Sequence, residues 1–219
     1  MATRQVLADL ASAFEQRSGT AVSIESVGGV DAAKRVQAGE PFDVVVLASD
    51  AIDKLIAAGF IDAASKVDLV RSGVAVAVRA GSPRPDIDTE MAVKRAVLAA
   101  RSLSYSTGPS GVALARLFER WGIADEIRDR IKIPPPGVPV GTLVAIAEVE
   151  LGFQQLSELM HLEGITVLGP LPPAIQINTT FSAGVCVGSA RAEAVRATLA
   201  FMASDEVADA KRRNGMEPA

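Results

Sequence analysis

The order of apolar segments along this 219-residue chain constrains its fold more than any other feature. Short, nearly continuous apolar runs such as Phe42–Leu47 alternate with segments of helical spacing such as Val6–Phe14. A continuous apolar run is typical of a strand covered on both faces, and strand–helix alternation is typical of α/β proteins. The pattern therefore predicts an α/β fold with mainly parallel sheets flanked by helices.

Two strand-like stretches, residues 67–79 and 175–187, are longer than ordinary strands. Each is long enough to cross between two sheets, so we expect one lobe from both chain ends and another from the middle. The predicted lobes are residues 1–76 with 180–219, and residues 77–179. Smaller predicted features are a strand at Ala21–Glu25, a helix at Thr142–Val149 and a connector at Pro134–Pro139.

Composition excludes several classes of function. The 22 basic and 26 acidic residues give a net charge of −4, and no block of Lys or Arg is present, so we expect no nucleic-acid partner. One Cys and one His predict neither a disulfide nor a histidine-based metal site. Nucleotide-binding glycine motifs are absent, and we expect no cofactor. Apolar runs are too short for a membrane-spanning segment.

The first residues do not form a secretory signal, because helical spacing with interspersed charges begins almost at once. This predicts a cytoplasmic protein. The alternative is a periplasmic protein whose leader lies upstream of Met1.

Several turns that lead into predicted helices carry small polar residues. Unpaired N–H groups at a helix start favour anions, glycine allows close approach to the backbone, and hydroxyls add donors. The same residue types are also ordinary in turns. The candidate ligand-binding residues in these turns are Gly28, Gly29, Ser49, Thr107, Ser110, Gly111, Gly141 and Thr142.

Longer polar side chains add two candidates. Arg71 begins one of the long strand-like stretches, where a cation can reach a cleft, although an exposed arginine is also common. Gln154 and Gln155 end a predicted strand, so one of them should face a ligand and the other point away. No catalytic residue is identified, since Cys186 and His161 fit structural roles better.

Stretches spread over nearly the whole chain resemble the type II periplasmic binding protein family, in particular its molybdate-binding-protein-like branch. The matching stretches are Leu10–Gly19, Ala38–Leu47, Asp53–Gly59, Pro109–Gly111, Ala147–Phe153, Ala200–Ser204 and Asn214–Pro218. The resemblance implies two α/β lobes joined by a hinge, with a small anion held between them by helix starts, backbone N–H groups and hydroxyls.

The resemblance also assigns positions and a function. Thr3 would belong to the first ligand loop, and Gln155 stands where molybdate binders place a tyrosine. The implied function is binding of an oxyanion or organic carboxylate as the solute-binding component of an ABC-type uptake system, with an ABC permease as a further candidate partner. A cytoplasmic anion sensor is a third hypothesis.

An enzymatic branch of the same superfamily is an alternative. The stretches Ala99–Ser102, Val167–Pro172 and Ile175–Gln176 are similar to aconitate isomerase-like members, which act on unsaturated tricarboxylates. Such chemistry needs cations for the carboxylates and a base for proton transfer. Arg71 is the candidate cation, and the base is not identified.

Overall fold

The computed structural model describes residues 1–135 and 137–219, so Pro136 of the predicted connector lies outside the described residues. The chain divides into two units. Unit 1 contains Met1–Ser72 and Thr179–Ala219, and unit 2 contains Gly73–Asn178.

Helices and strands alternate along much of the chain, as the apolar spacing predicts. The helices are α1 (Arg4–Ser18), α2 (Gly29–Gln37), α3 (Ser49–Ala57), α4 (Glu90–Ala99), α5 (Pro109–Arg120), α6 (Ala124–Ile127), α7 (Val140–Ala145), α8 (Leu156–Leu159), α9 (Ala192–Ala203) and α10 (Ala208–Arg213). The strands are β1 (Val44–Ala48), β2 (Val67–Arg79), β3 (Leu103–Tyr105), β4 (Leu151–Gln155), β5 (Ile165–Pro170), β6 (Asn178–Val185) and β7 (Glu217–Pro218).

Helix α1 shows how local sequence builds unit 1. Its apolar residues recur three or four positions apart and are buried, namely Val6, Leu7, Leu10, Ala11 and Phe14. The helix ends where Gly19 takes a left-handed conformation with φ 70° and donates its N–H to the carbonyl of Glu15. The buried face of α1 joins a core with residues of β2, β6 and α9, including Leu69, Ala183 and Leu199.

In unit 1, β6 lies between β1 and β2. Strands β1 and β6 are antiparallel, with Val44 opposite Val185. Strand β7 is antiparallel to β2, with Val70 opposite Pro218. The helices α2 and α3 pack beside β1 around a second core that includes Ile52, Leu55 and Cys186.

In unit 2, the later part of β2 has β4 on one side and β5 on the other, and both are antiparallel to it. Strand β3 runs parallel to β4, with Tyr105 opposite Phe153. The main core of this unit is built around the large buried side chains Phe118 and Phe153, whose rings meet edge to face with centroids 6.1 Å apart.

The α/β fold is confirmed, but the prediction of mainly parallel sheets is wrong. Among the described strand pairs with a stated direction, β3–β4 is parallel, whereas β1–β6, β2–β4, β2–β5 and β2–β7 are antiparallel. A continuous apolar run indicates that a strand is covered on both faces. It does not indicate whether the neighbouring strand is parallel or antiparallel. That direction is set by the connections between elements that are distant in the chain.

Two local predictions also fail. Residues 21–25 form no strand, and the Val22 N–H instead donates to the side chain of Glu15. The predicted helix at 142–149 begins earlier and ends earlier, as α7. It stops because Ala147 takes a left-handed conformation with φ 60°.

Among the described residues, no helix combines the length and the apolar character that crossing a membrane requires.

Candidate functional site

The predicted ligand residues of unit 1 lie at the starts of three helices. Thr3 precedes α1, and its hydroxyl makes no capping hydrogen bond. Gly28 precedes α2, Gly29 is the first residue of that helix, and Ser49 is the first residue of α3. The first N–H groups of a helix have no partner within the helix, so these three starts offer backbone donors.

Contacts bring these starts close together within unit 1. The N-terminal amino group of Met1 donates to the carbonyl of Val27 at 3.5 Å, which joins the chain before α1 to the chain before α2. A Cβ atom at Gly29 would lie 3.7 Å from Cδ2 of Leu47, which places the start of α2 beside the residues that lead into α3. Thr3, Gly28, Gly29 and Ser49 therefore belong to one neighbourhood.

An open pocket of about 230 Å³ lies against the first turn of α1. It is lined by Arg4 and Ala8 of the helix and by Ile24 and Ser26 of the extended segment that follows it. Among the described residues, the Arg4 guanidinium has no hydrogen-bond or ion-pair partner. An unpaired guanidinium beside a serine is suited to binding a carboxylate, because its planar donors match the two carboxylate oxygens.

Two acidic side chains lie in the first turns of α2 and α3, where the helix start carries a partial positive charge. Asp31 lies in the first turn of α2, and its Oδ2 is 3.5 Å from the position of a Cβ at Gly28. Asp50 lies in the first turn of α3 and pairs with Lys54 at 3.4 Å. These carboxylates offset the partial positive charge of the helix starts. The positively charged groups of this neighbourhood are the Arg4 guanidinium and the N-terminal ammonium of Met1.

The predicted cation Arg71 lies exposed on β2. Its Nε donates to the carbonyl oxygen of Pro218 at 3.2 Å, so the side chain is engaged with β7. A role of Arg71 in ligand binding stays a prediction.

In unit 2, Thr107, Ser110 and Gly111 lie in and after the loop that leads from β3 into α5. The hydroxyl oxygens of Ser106 and Ser110 are 3.4 Å apart, and Thr107 is exposed. The first helical backbone bond runs from Val112 N–H to the Gly108 carbonyl at 3.1 Å, so the N–H groups of Ser110 and Gly111 precede it.

The second predicted loop of unit 2 forms the start of α7. Here the backbone donors already have partners within the protein. The Gly141 N–H donates to Oε1 of Gln154 at 3.4 Å, and the Thr142 N–H donates to the Pro139 carbonyl at 3.1 Å. Gln154 and Gln155, at the end of β4, are both buried. Gln154 therefore faces α7.

These two groups of unit 2 meet at one edge of its sheet. Strands β3 and β4 are parallel neighbours, so their carboxyl ends lie together. The first turn of α5, which follows the loop after β3, holds Ser110, and the end of β4 holds Gln155. This edge is where ligands bind in open α/β sheets.

Sequence reasoning missed two charged residues beside these groups, Arg4 and Glu158. Arg4 directly follows Thr3, and Glu158 lies three residues after Gln155. A short distance in sequence from a predicted ligand residue was the available signal in both cases. Burial raises the pKa of the Glu158 carboxyl above its usual value.

Other reactive side chains have structural explanations. Burial, together with the nearby charge of Asp43, raises the pKa of Cys186 to about 11, so its thiol stays protonated near neutrality. Burial also raises the pKa of Tyr105, whose ring packs against Phe118 with centroids 6.0 Å apart. Among the described residues, no group of three or more His, Cys, Asp or Glu side chains is placed to hold a metal ion.

Comparison with known proteins identifies the family. The sequence profile of the bacterial extracellular solute-binding protein family matches residues 1–217. The chain belongs to this family. The resemblance to periplasmic binding proteins that the sequence indicates is thereby confirmed.

A named relative is similar over nearly the whole chain. An aconitate isomerase from a Pseudomonas species is 38% identical over 216 residues, which are 96% of this chain and 82% of that protein.

Solved structures share the fold. The periplasmic molybdate-binding protein of Azotobacter vinelandii matches with a TM-score of 0.79 at 20% identity, covering 98% of this chain and 94% of that one. A sulfate-binding protein from Mycobacterium tuberculosis H37Rv matches with a TM-score of 0.79 at 17% identity, covering 98% of this chain and 83% of that one. At these identities the likeness concerns the fold.

Proposed function

We propose that this solute-binding family member is an isomerase that acts on an unsaturated polycarboxylate such as aconitate. The observation that carries the proposal is the 38% identity to an aconitate isomerase over 96% of the chain. This likeness favours the enzymatic alternative over a component of an uptake system.

The charge pattern of unit 1 supports a carboxylate substrate. Arg4 has no partner among the described residues and lines a pocket, so it is available to bind one carboxylate. The hydroxyls of Thr3, Ser49, Thr107 and Ser110 and the N–H groups at the starts of α1, α2 and α5 would supply neutral donors. Arg71 and Gln155 stay in the proposal as predicted contacts, as does the two-lobed, hinged arrangement.

The reaction tests the proposal directly. Purified protein incubated with trans-aconitate should produce cis-aconitate, measured by chromatography. The variant Arg4→Gln should lower kcat/KM roughly 10- to 100-fold, because one charge-assisted hydrogen-bonded contact contributes about 1.5–3 kcal/mol. Arg213→Gln, which removes the same charge from an exposed residue of α10, is the matched control and should retain full turnover.

Absence of turnover by folded wild-type protein would reject aconitate as the substrate. Equal loss in the Arg4 and Arg213 variants would instead show that overall charge, and not the pocket, governs activity.

A second candidate is a small-anion binding protein that serves an ABC-type uptake system. It is supported by the family match and by the shared fold with molybdate- and sulfate-binding proteins. Under this candidate a periplasmic location and an ABC permease partner are expected.

A further inference from the structure

The pocket of unit 1 that contains Arg4 also contains a serine, Ser26. It has two walls. Arg4 and Ala8 are one turn apart on α1 and form the first wall, and Ile24 and Ser26 of the extended segment form the second. Ile24 and Ser26 are two residues apart, which places their side chains on the same side of an extended chain. A hydroxyl and an aliphatic side chain therefore line the same space as the guanidinium.

Contacts within unit 1 hold the extended segment beside α1. Before the pocket residues, the Val22 N–H donates to a side-chain oxygen of Glu15. After them, the Val27 carbonyl accepts from the amino group of Met1 at 3.5 Å. Ser26 therefore lies between two anchored positions, and its hydroxyl is held at the pocket by its own backbone.

Neither polar side chain of the pocket is engaged within the protein. Among the described residues, no hydrogen bond or ion pair involves the Arg4 guanidinium or the Ser26 hydroxyl. Ser26 is half-buried, so water reaches its hydroxyl from the pocket side only in part. A guanidinium has five N–H donors and a serine hydroxyl has one O–H donor. Both groups keep these donors for a ligand.

Arg4 is also the charged group that lines the pocket itself. Glu25, between the two pocket residues of the segment, pairs with Arg35 at 2.7 Å. The ammonium of Met1 adds a positive charge at the end of the segment, and Asp31 adds a negative charge in the first turn of α2. These two neighbouring charges have opposite signs, so the pocket keeps the positive character that the guanidinium provides.

This lining matches a carboxylate that is attached to an aliphatic carbon. The guanidinium donors fit both carboxylate oxygens, and the serine hydroxyl can donate to one of them. Ile24 is 37% exposed, and contact with a methylene group would remove part of its apolar surface from water. An inorganic oxyanion has no carbon to place there, and polar oxygens buried against aliphatic groups are unfavourable.

We infer that Arg4 and Ser26 together hold one carboxymethyl arm (–CH₂–COO⁻) of the substrate. This inference rests on the proposed isomerase function and deepens it, because it names a second substrate-binding residue and the part of the substrate that it contacts. The carboxylate joins the two walls of the pocket, and Ile24 and Ala8 contact the methylene group. No covalent bond is made or broken in this contact.

The variant Ser26→Ala tests the contact by removing the hydroxyl. The probe is tricarballylate, the saturated analogue of aconitate, which carries two carboxymethyl arms and has no double bond to move. Its Kd, measured by calorimetry, should rise about 10-fold, because a hydrogen bond to a charged group contributes at least that factor. The KM for trans-aconitate should rise similarly with kcat nearly unchanged, since the contact is present in the ground state and in the transition state.

Two further variants serve as controls. Ser26→Thr keeps a hydroxyl and should bind tricarballylate within a few-fold of the wild type. Ser23→Ala removes the hydroxyl of an exposed serine in the same segment that does not line the pocket, and it should leave both Kd and KM unchanged.

A double-variant cycle tests whether both residues hold the same carboxylate. If they do, adding Ser26→Ala to Arg4→Gln should raise the Kd of tricarballylate by less than about 3-fold further, because the carboxylate has already lost its fixed position. A full further loss, equal to that of Ser26→Ala alone, would show that the two side chains act on separate groups and would overturn the shared arm.

Failure of this inference and failure of the proposed function are distinguishable. Equal tricarballylate binding by Ser26→Ala and the wild type would overturn the inference, whether or not the protein is an isomerase. A wild type that does not bind tricarballylate would overturn it as well. Binding of tricarballylate that depends on Ser26, in a wild type that does not convert trans-aconitate, would reject the isomerase and support the carboxylate site.

Discussion

Lys211, in α10 of unit 1, is fully buried. Among the described residues, its Nζ has no hydrogen-bond partner. An ammonium group in such a place loses its hydration without gaining a hydrogen bond in exchange. Burial accordingly lowers the pKa of Lys211, although the charge of Asp205 opposes this shift.

We predict that Lys211→Met stabilises unit 1, because methionine fills a similar volume without a polar atom. Removing an unsatisfied buried donor contributes about 1–3 kcal/mol, which corresponds to a rise of roughly 2–10 °C in melting temperature for a chain of this size. Thermal unfolding at pH 7 measures it. The exposed Lys34→Met variant is the control and should change stability by less than about 0.5 kcal/mol.

The pH dependence of this effect has a definite sign. In the unfolded chain the pKa of Lys211 is near the ordinary value of 10.5, and in the native protein it is lower. Between these two values the unfolded state binds more protons, so the free energy of unfolding of the wild type rises with pH there. The advantage of Lys211→Met should shrink as the pH approaches 10.5. An advantage that grows with pH would contradict the buried-ammonium explanation.

The side-chain environments of two arginines could not be predicted from the sequence. Arg4 and Arg71 are both exposed arginines in sequence-predicted ligand regions, and the sequence favours Arg71. In the structure, Arg71 donates a hydrogen bond to the Pro218 carbonyl, whereas Arg4 lines a pocket. The difference depends on residues far along the chain, which local sequence does not specify.

At the scale of single elements, the start of α5 depends on Gly111. A Cβ atom at this position would collide with the carbonyl group of Ser106. The loop after β3 can therefore pack against the first turn of α5 only because residue 111 is a glycine. The turn residues of this loop predict ligand access at Gly111, yet the backbone of Ser106 occupies that space.

We predict that Gly111→Ala destabilises the protein by roughly 1–3 kcal/mol, as overpacking of a tight contact does. Because the collision is with the backbone of Ser106, the loop that carries Ser106 and Thr107 must move. Chemical denaturation measures the loss. Gly108→Ala is the matched control, since its φ is −76° and the nearest atom to a Cβ there is 3.8 Å away. Equal stability of the two variants would contradict the role assigned to Gly111.

Strand direction belongs to this scale as well. The apolar run at Val44–Ala48 predicts a buried strand, and β1 is one. Its partner is β6, more than a hundred residues away and antiparallel. The run is compatible with either direction, because coverage of both faces produces the same pattern.

At the scale of the whole molecule, unit 1 is assembled from both ends of the chain. The Nδ2 of Asn214 donates to Oδ2 of Asp9 at 2.8 Å, and Phe14 packs against Phe201 with ring centroids 5.5 Å apart. Residues near the C-terminus therefore hold α1, the helix that carries Arg4.

Ligand-induced stabilisation of the intact chain separates the two candidate functions. At a trans-aconitate concentration about 100 times Kd, binding adds about 2.7 kcal/mol. This predicts a rise in melting temperature of roughly 5–10 °C. Molybdate and sulfate at matched ionic strength should have little effect if the proposed isomerase function is correct. Stabilisation by molybdate or sulfate, with none by trans-aconitate, would favour the binding-protein candidate.

The sequence by itself determined the alternation of helices and strands, the buried face of α1 and the family resemblance that the profile match confirms. These depend on local periodicity and on the order of segments. The tertiary structure decided the antiparallel pairing, the partners of the α7 N–H groups, and the positions of Arg4, Glu158 and Lys211. The reason is physical: direction, burial and hydrogen-bond partners are set by contacts between residues distant in the chain, and local spacing carries no information about them.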